Sequence, residues 1–153
     1  MKHEILIYNK THEKISKEFI ESVILRTFDF LKLKQPMELA VLIVSAKEIS
    51  KLNKIWRKKN YTPNELSFGL NSRKSTVFAK GNVNVISLGE IIISSEKIRD
   101  KKYLTRILIH SLLHLLGYHH EKSIAEAKKM ERLEVKIFSA IGLSAEGGKH
   151  LNI

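Results

Sequence analysis

Two histidines, His110 and His114, stand four residues apart in the most strongly helical stretch of this 153-residue chain, and a third, His120, follows shortly after Gly117. A four-residue step along a helix turns by about 40° and rises about 6 Å, so the two imidazoles can converge on one ion. Gly117 accepts the left-handed conformation that ends helices, and a chain that reverses there can bring back His120 as a third nitrogen. Three protein ligands leave one position of a tetrahedral ion open. Water at such a position is acidified towards a pKa of about 7, which is the chemistry of a hydrolytic rather than a structural metal centre.

The full string His-Ser-Leu-Leu-His-Leu-Leu-Gly-Tyr-His-His, residues 110 to 120, has the H-x-x-x-H-x-x-G-x-x-H ligand spacing of metzincins. That spacing selects His120 over its neighbour His119, which is expected to face solvent or to act behind the ligands. Metallopeptidases place a general-base glutamate directly after the first histidine. This chain has Ser111 there, which cannot take a proton from bound water, so peptide hydrolysis is disfavoured. His3, His12 and His150 read as ordinary surface residues. The chain has no cysteine, which leaves imidazole and carboxylate as ligands. Zinc is the expected ion, although cobalt, nickel and copper also suit imidazole sites.

These histidines need a scaffold, and the apolar pattern supplies one of α+β class. Residues 3 to 8, 38 to 45 and 83 to 94 read as strands, with Leu66-Ser-Phe-Gly-Leu as a further short one. Ile15, Phe19, Ile20, Val23, Ile24, Phe28 and Leu31 lay one apolar stripe along a helix. Ser45-Ala-Lys-Glu48 and Ser123-Ile-Ala-Glu126 have the form of capping boxes. The first opens a helix through Ile49, Leu52, Ile55 and Trp56 to about Lys59, and the second a last helix through Leu133, Ile137 and Ile141. Tyr103, Ile107, Leu108, Leu112, Leu115 and Leu116 mark the largely buried helix that carries the histidine pair, while 71 to 82 reads as a loop. The expectation is one domain, 1 to 153, with a small central sheet of about four strands packed with helices.

An apolar content of 43% suffices for a core, and no apolar run reaches the roughly 20 residues of a membrane span. The opening Met1-Lys-His-Glu sets charge where a signal core would be apolar, so a cytoplasmic protein is expected. Lysine and arginine number 27 against 16 acids, a net charge of +11 that attracts polyanions, nucleic acid first among them. Lysine alone accounts for 21 of the 27, so base composition of the genome is the competing explanation of that charge.

The histidine string resembles the signature H-G-x-L-H-L-x-G-Y-D-H of the YbeY family, bacterial metal-dependent endoribonucleases of ribosomal RNA maturation. Leu52-Asn-Lys-Ile-Trp-Arg57-Lys-Lys is similar to that family's L-N-x-x-Y-R-x-K, Asn64-Glu-Leu-Ser-Phe68 to its N-V-L-S-F, and Leu88-Gly-Glu-Ile-Ile-Ile-Ser94 to its L-G-D-I-x-I-S. The resemblance implies a zincin-like three-histidine site with His110, His114 and His120 on the metal ligands and Arg57 on an arginine important for activity. It further implies action on single-stranded RNA, chiefly the 3′ end of small-subunit ribosomal RNA, a part in ribosome quality control, and contact with the small ribosomal subunit or its assembly factors. The chain departs from the pattern at Ser111 for Gly, at His119 for Asp, and at Thr62-Pro63 for Pro-Thr.

Cleavage is expected at the metal centre by activated water or by the ribose hydroxyl, between which the sequence does not decide. Arg57 would bind phosphoryl oxygens through its planar fork. Positions 51 to 60 hold Lys51, Lys54, Arg57, Lys58 and Lys59 without one acid, a phosphate track or a solvated helix face. Tyr61 is a candidate for base stacking and Phe68 reads as core. Two rivals differ in class: a zincin-like metallopeptidase or other metallohydrolase, which would need Glu90 or Glu121 as its base, and a non-catalytic ribosome-assembly module with structural zinc.

Overall fold

The computed structural model describes residues 2–69, 85–118 and 123–142. Four strands, β1 (Glu4–Asn9), β2 (Met37–Val44), β3 (Glu65–Phe68) and β4 (Ile86–Ser94), form one mixed sheet in the order β1-β2-β4-β3. Four α-helices accompany it: α1 (Lys17–Leu31), α2 (Ala46–Leu52), α3 (Lys101–Leu115) and α4 (Ile124–Ile137). The architecture is therefore α+β, with the strand count and helix positions read from periodicity. The proposed loop at 71 to 82 and the first residues of the 83 to 94 strand lie outside the described residues.

By contact the chain divides into two compact units, each assembled from separate stretches: residues 1–15 with 34–99, and residues 16–33 with 100–153. The first holds the sheet and α2. β1 and β4 both run parallel to β2, and β3 pairs antiparallel with β4. All eight residues of β2 are buried, as expected of a central strand in parallel pairing. Ala40, Leu42 and Val44 alternate onto one face of it and share a cluster with Ile49, Leu66, Phe68 and Ile92, with Leu52 packed alongside. The pairing of β2 with β4 slips after Glu38, which faces Ser87, while Leu39 faces Gly89. Gly89 sits at φ +119°, and a Cβ there would lie 2.1 Å from the Phe68 carbonyl oxygen. Only glycine lets β3 approach this bulge, which accounts physically for the glycine of the Leu88-Gly-Glu motif.

His3 is not a plain surface residue. It is half-buried, and its Nδ1 accepts the Met37 amide at 3.0 Å, holding the start of β2.

The second unit is helical, with α3 in contact with both α1 and α4. Ser16 caps α1 by accepting from the Phe19 amide, and Asp100 caps α3 by accepting from Tyr103. The stripe on α1 buries Phe19, Ile20, Val23, Ile24 and Phe28 as its spacing requires, and α3 buries Leu104, Ile107, Leu108, Ile109, Leu112 and Leu113. Among the described residues no helix is long and apolar enough to cross a membrane.

Candidate metal centre and the Arg57 turn

α3 positions the histidine pair. Its inner face is anchored by Leu108 and Leu112, both fully buried, and by Ser111, which is 0% exposed. A side chain at that depth is packed rather than poised for solvent chemistry, in keeping with the absence of a base after the first histidine. His110 and His114, one turn apart, bring their Nε2 atoms to 3.0 Å with the ring planes nearly perpendicular at 82°. Two imidazole ligands of one tetrahedral zinc, each about 2.0 to 2.1 Å from the ion, sit about 3.3 Å apart. The observed separation is close to that, so the pair fits a shared ion without a change of helix geometry.

Glu134 on α4 completes the description and was not legible as a site residue. Its Oε2 lies 2.5 Å from His110 Nδ1, within hydrogen-bonding distance. A carboxylate against one ring nitrogen, leaving the other to an ion, is the arrangement that metal-bound histidines use.

The helix ends where Gly117 predicts. Gly117 takes φ +106°, its amide bonds to the His114 carbonyl, and the Tyr118 amide bonds to the Leu113 carbonyl. His120, the proposed third ligand, lies outside the described residues, as do His119, Glu121 and His150. Among the described residues no group of three or more His, Cys, Asp or Glu side chains is placed to hold a metal ion.

Arg57 belongs to the sheet unit. The helix expected through Lys59 is α-helical only to Leu52, then widens into a π-helical turn over Asn53–Arg57 and closes with Lys58 at φ +58°. Widening the turn rotates later residues off the buried face: Ile49 is buried, but Ile55 and Trp56 are 53% and 46% exposed. Asn53 takes the inner position instead, fully buried, its Nδ2 donating to the Tyr61 carbonyl at 2.9 Å. That bond ties the turn to the segment leading into β3. Arg57 then reaches β3 itself, with Nη2 donating to the Ser67 carbonyl at 3.0 Å and the guanidinium 5.6 Å from the Phe68 ring centre. Phe68 is core, as its sequence context indicates, and Tyr61 is exposed. Lys51, Lys54, Lys58 and Lys59 are all exposed. Glu90, one candidate base for a peptidase, is 2% exposed on β4.

Comparison with known proteins agrees with this reading of the motifs. A family model described as Endoribonuclease YbeY matches residues 6–142. A protein of Agrobacterium fabrum named Endoribonuclease YbeY is 33% identical over 142 residues, covering 82% of this chain and 81% of its own. Another of that name, from Bartonella quintana, is 32% identical over 143 residues and covers 87% of each chain. A Thermotoga maritima protein solved in solution superposes with a TM-score of 0.50 at 22% identity, over 89% of this chain and 90% of that one, a likeness of fold. The sheet, the helices and the histidine string define an α+β protein of the endoribonuclease class. The chain belongs to the Endoribonuclease YbeY family.

Proposed function

We propose that this chain is a metal-dependent endoribonuclease of single-stranded RNA, working in the cytoplasm on the 3′ end of small-subunit ribosomal RNA and in ribosome quality control. Residues 1 to 153 act as one catalytic domain. The observation that carries the reading is the meeting of His110 and His114 at 3.0 Å on α3. Their nitrogens are spaced for one ion, and His120 supplies the third ligand of a zincin-like site. Zinc is the proposed ion; when bound, it would supply Lewis acidity to the attacking oxygen and to the phosphoryl group.

The chain's own residues divide the remaining work. Arg57 spends one donor on Ser67 and one face towards Phe68, which restricts the guanidinium while leaving donors for phosphoryl oxygens. The exposed lysines at 51, 54, 58 and 59 attract the RNA backbone, and Tyr61, 60% exposed, offers a ring to an unpaired base. The small ribosomal subunit or its assembly factors are the proposed partners.

Ser111 and Glu90 are buried, which weighs against the peptidase reading, and the family's name weighs against an inert assembly module. The test is to incubate protein of measured metal content with single-stranded and duplex RNA, with and without chelator. Cleavage of the single strand that stops with chelator and returns with zinc is expected. RNA binding without any metal-dependent cleavage would favour the assembly module, and peptide hydrolysis without RNA cleavage the peptidase.

A further inference from the structure

Glu134 stands where the pattern of α4 calls for an apolar residue. Met130 and Ile137, 1% and 0% exposed, fix the inward face of the helix, and Glu134 lies four residues after one and three before the other. Glu126 and Glu131 on the same helix are exposed. The inward position delivers the Glu134 carboxylate to His110 Nδ1, at 2.5 Å, with the two side chains 28% and 32% exposed.

An ionised carboxylate only accepts hydrogen bonds, so the ring nitrogen facing it carries the proton. With a neutral imidazole, protonation at Nδ1 leaves the lone pair on Nε2, the atom that meets His114. We infer that Glu134 is a positioning residue for the metal centre, selecting the Nδ1-protonated tautomer of His110 and holding its ring so that Nε2 presents a lone pair to the ion. The inference rests on the three-histidine reading above and deepens it. Glu134 touches neither metal nor substrate in this role. It acts through His110, making that imidazole a more basic ligand and sparing binding the cost of turning the ring.

The test uses the full chain, metal-free and with zinc. In metal-free parent protein at mildly alkaline pH, long-range ¹H–¹⁵N NMR should show His110 protonated at Nδ1. Glu134→Ala should move it towards the Nε2-protonated form, whereas Glu134→Gln, which keeps an acceptor oxygen, should largely retain Nδ1. Zinc affinity by competition with a chromophoric chelator should fall about 10- to 100-fold in Glu134→Ala, less in Glu134→Gln, and not at all in Glu131→Ala. A parent protein with His110 protonated at Nε2 overturns the inference without any variant. So does a Glu134→Ala protein that binds zinc as tightly as the parent while His110→Ala has lost it. If His110→Ala also keeps full affinity, the three-histidine reading fails and takes this one with it. Should Glu134→Ala not fold, the parent spectrum and Glu134→Gln decide.

Discussion

Arg57 reaches across ten residues of chain to donate from Nη2 to the Ser67 carbonyl at 3.0 Å, so the arginine proposed to bind phosphate also ties the π-helical turn to β3. The two roles separate in Arg57→Lys. Lysine keeps the charge but loses the planar fork, and loss of one electrostatic donor to a transition state costs on the order of 10²-fold in rate. The lost tether is exposed and should cost no more than about 1 kcal/mol. Cleavage rate and melting temperature on one preparation check both. A variant that cuts at nearly the parent rate but melts much earlier would leave Arg57 only the structural role.

Gly89→Ala tests the bulge. Any Cβ meets the Phe68 carbonyl oxygen at 2.1 Å, and φ +119° is a conformation that L residues rarely adopt. Backbone contact of this kind cannot be relieved by a rotamer change, so β3 must move away from β4. The expected loss is about 3 kcal/mol or more by urea denaturation, at or above the upper end of the ordinary range for a point substitution. A variant of parent stability would show that β3 can shift at little cost.

Local features of this fold were legible in sequence, and features that need two distant segments were not. Ser45 and Ser123 accept from the amides of Glu48 and Glu126, three residues on, as the capping spacing requires. The α1 stripe and the Gly117 terminus are likewise decided within a turn or two of helix. The widening after Leu52 was not visible, because the buried place of Asn53 depends on its bond to the Tyr61 carbonyl, eight residues further on. His3 was misread for the same reason, since its partner is the Met37 amide in another strand.

The site shows the same division. His110 and His114 are neighbours by helical geometry alone, whereas Glu134 lies 24 residues beyond His110 on a different helix. One signal was available: an acid interrupting the spacing between Met130 and Ile137 on a helix with buried anchors. A charge on such a stripe asks for a partner, and the nearest residue of matching chemistry in the preceding helix was already marked as a ligand.

Metal binding should depend on three of the four neighbouring histidines. His110→Ala, His114→Ala and His120→Ala each remove a proposed ligand and should lower metal content, whereas His119→Ala should not. Zinc bound only by the folded state also raises stability, by about 2.7 kcal/mol at a free concentration about 100 times Kd. A zinc-induced rise in melting temperature is therefore expected for the parent and His119→Ala, and a much smaller one for the other three. Full metal content in His120→Ala with loss in His119→Ala would transfer the third ligand to His119.

RNA affinity should fall steeply with salt, and the slope should map to the Asn53 turn. Lys51, Lys54, Lys58 and Lys59 are exposed on a stretch that contains no acid, so RNA laid along it would displace condensed counterions as each phosphate is neutralised. For single strands the slope of log K against log salt is about 0.7 per phosphate contact. Replacing both Lys58 and Lys59 by Gln should then flatten it by up to about 1.4 if each lysine meets a phosphate. Lys128 and Lys129, also exposed and on α4, provide the matched pair: their replacement makes the same change in net charge at another place. Binding isotherms for a short single-stranded RNA over a range of salt concentrations read the difference directly. A flattened slope for the first pair alone locates the phosphate track on this turn, whereas equal flattening for both pairs would mean that total charge, and not this stretch of lysines, draws the RNA in.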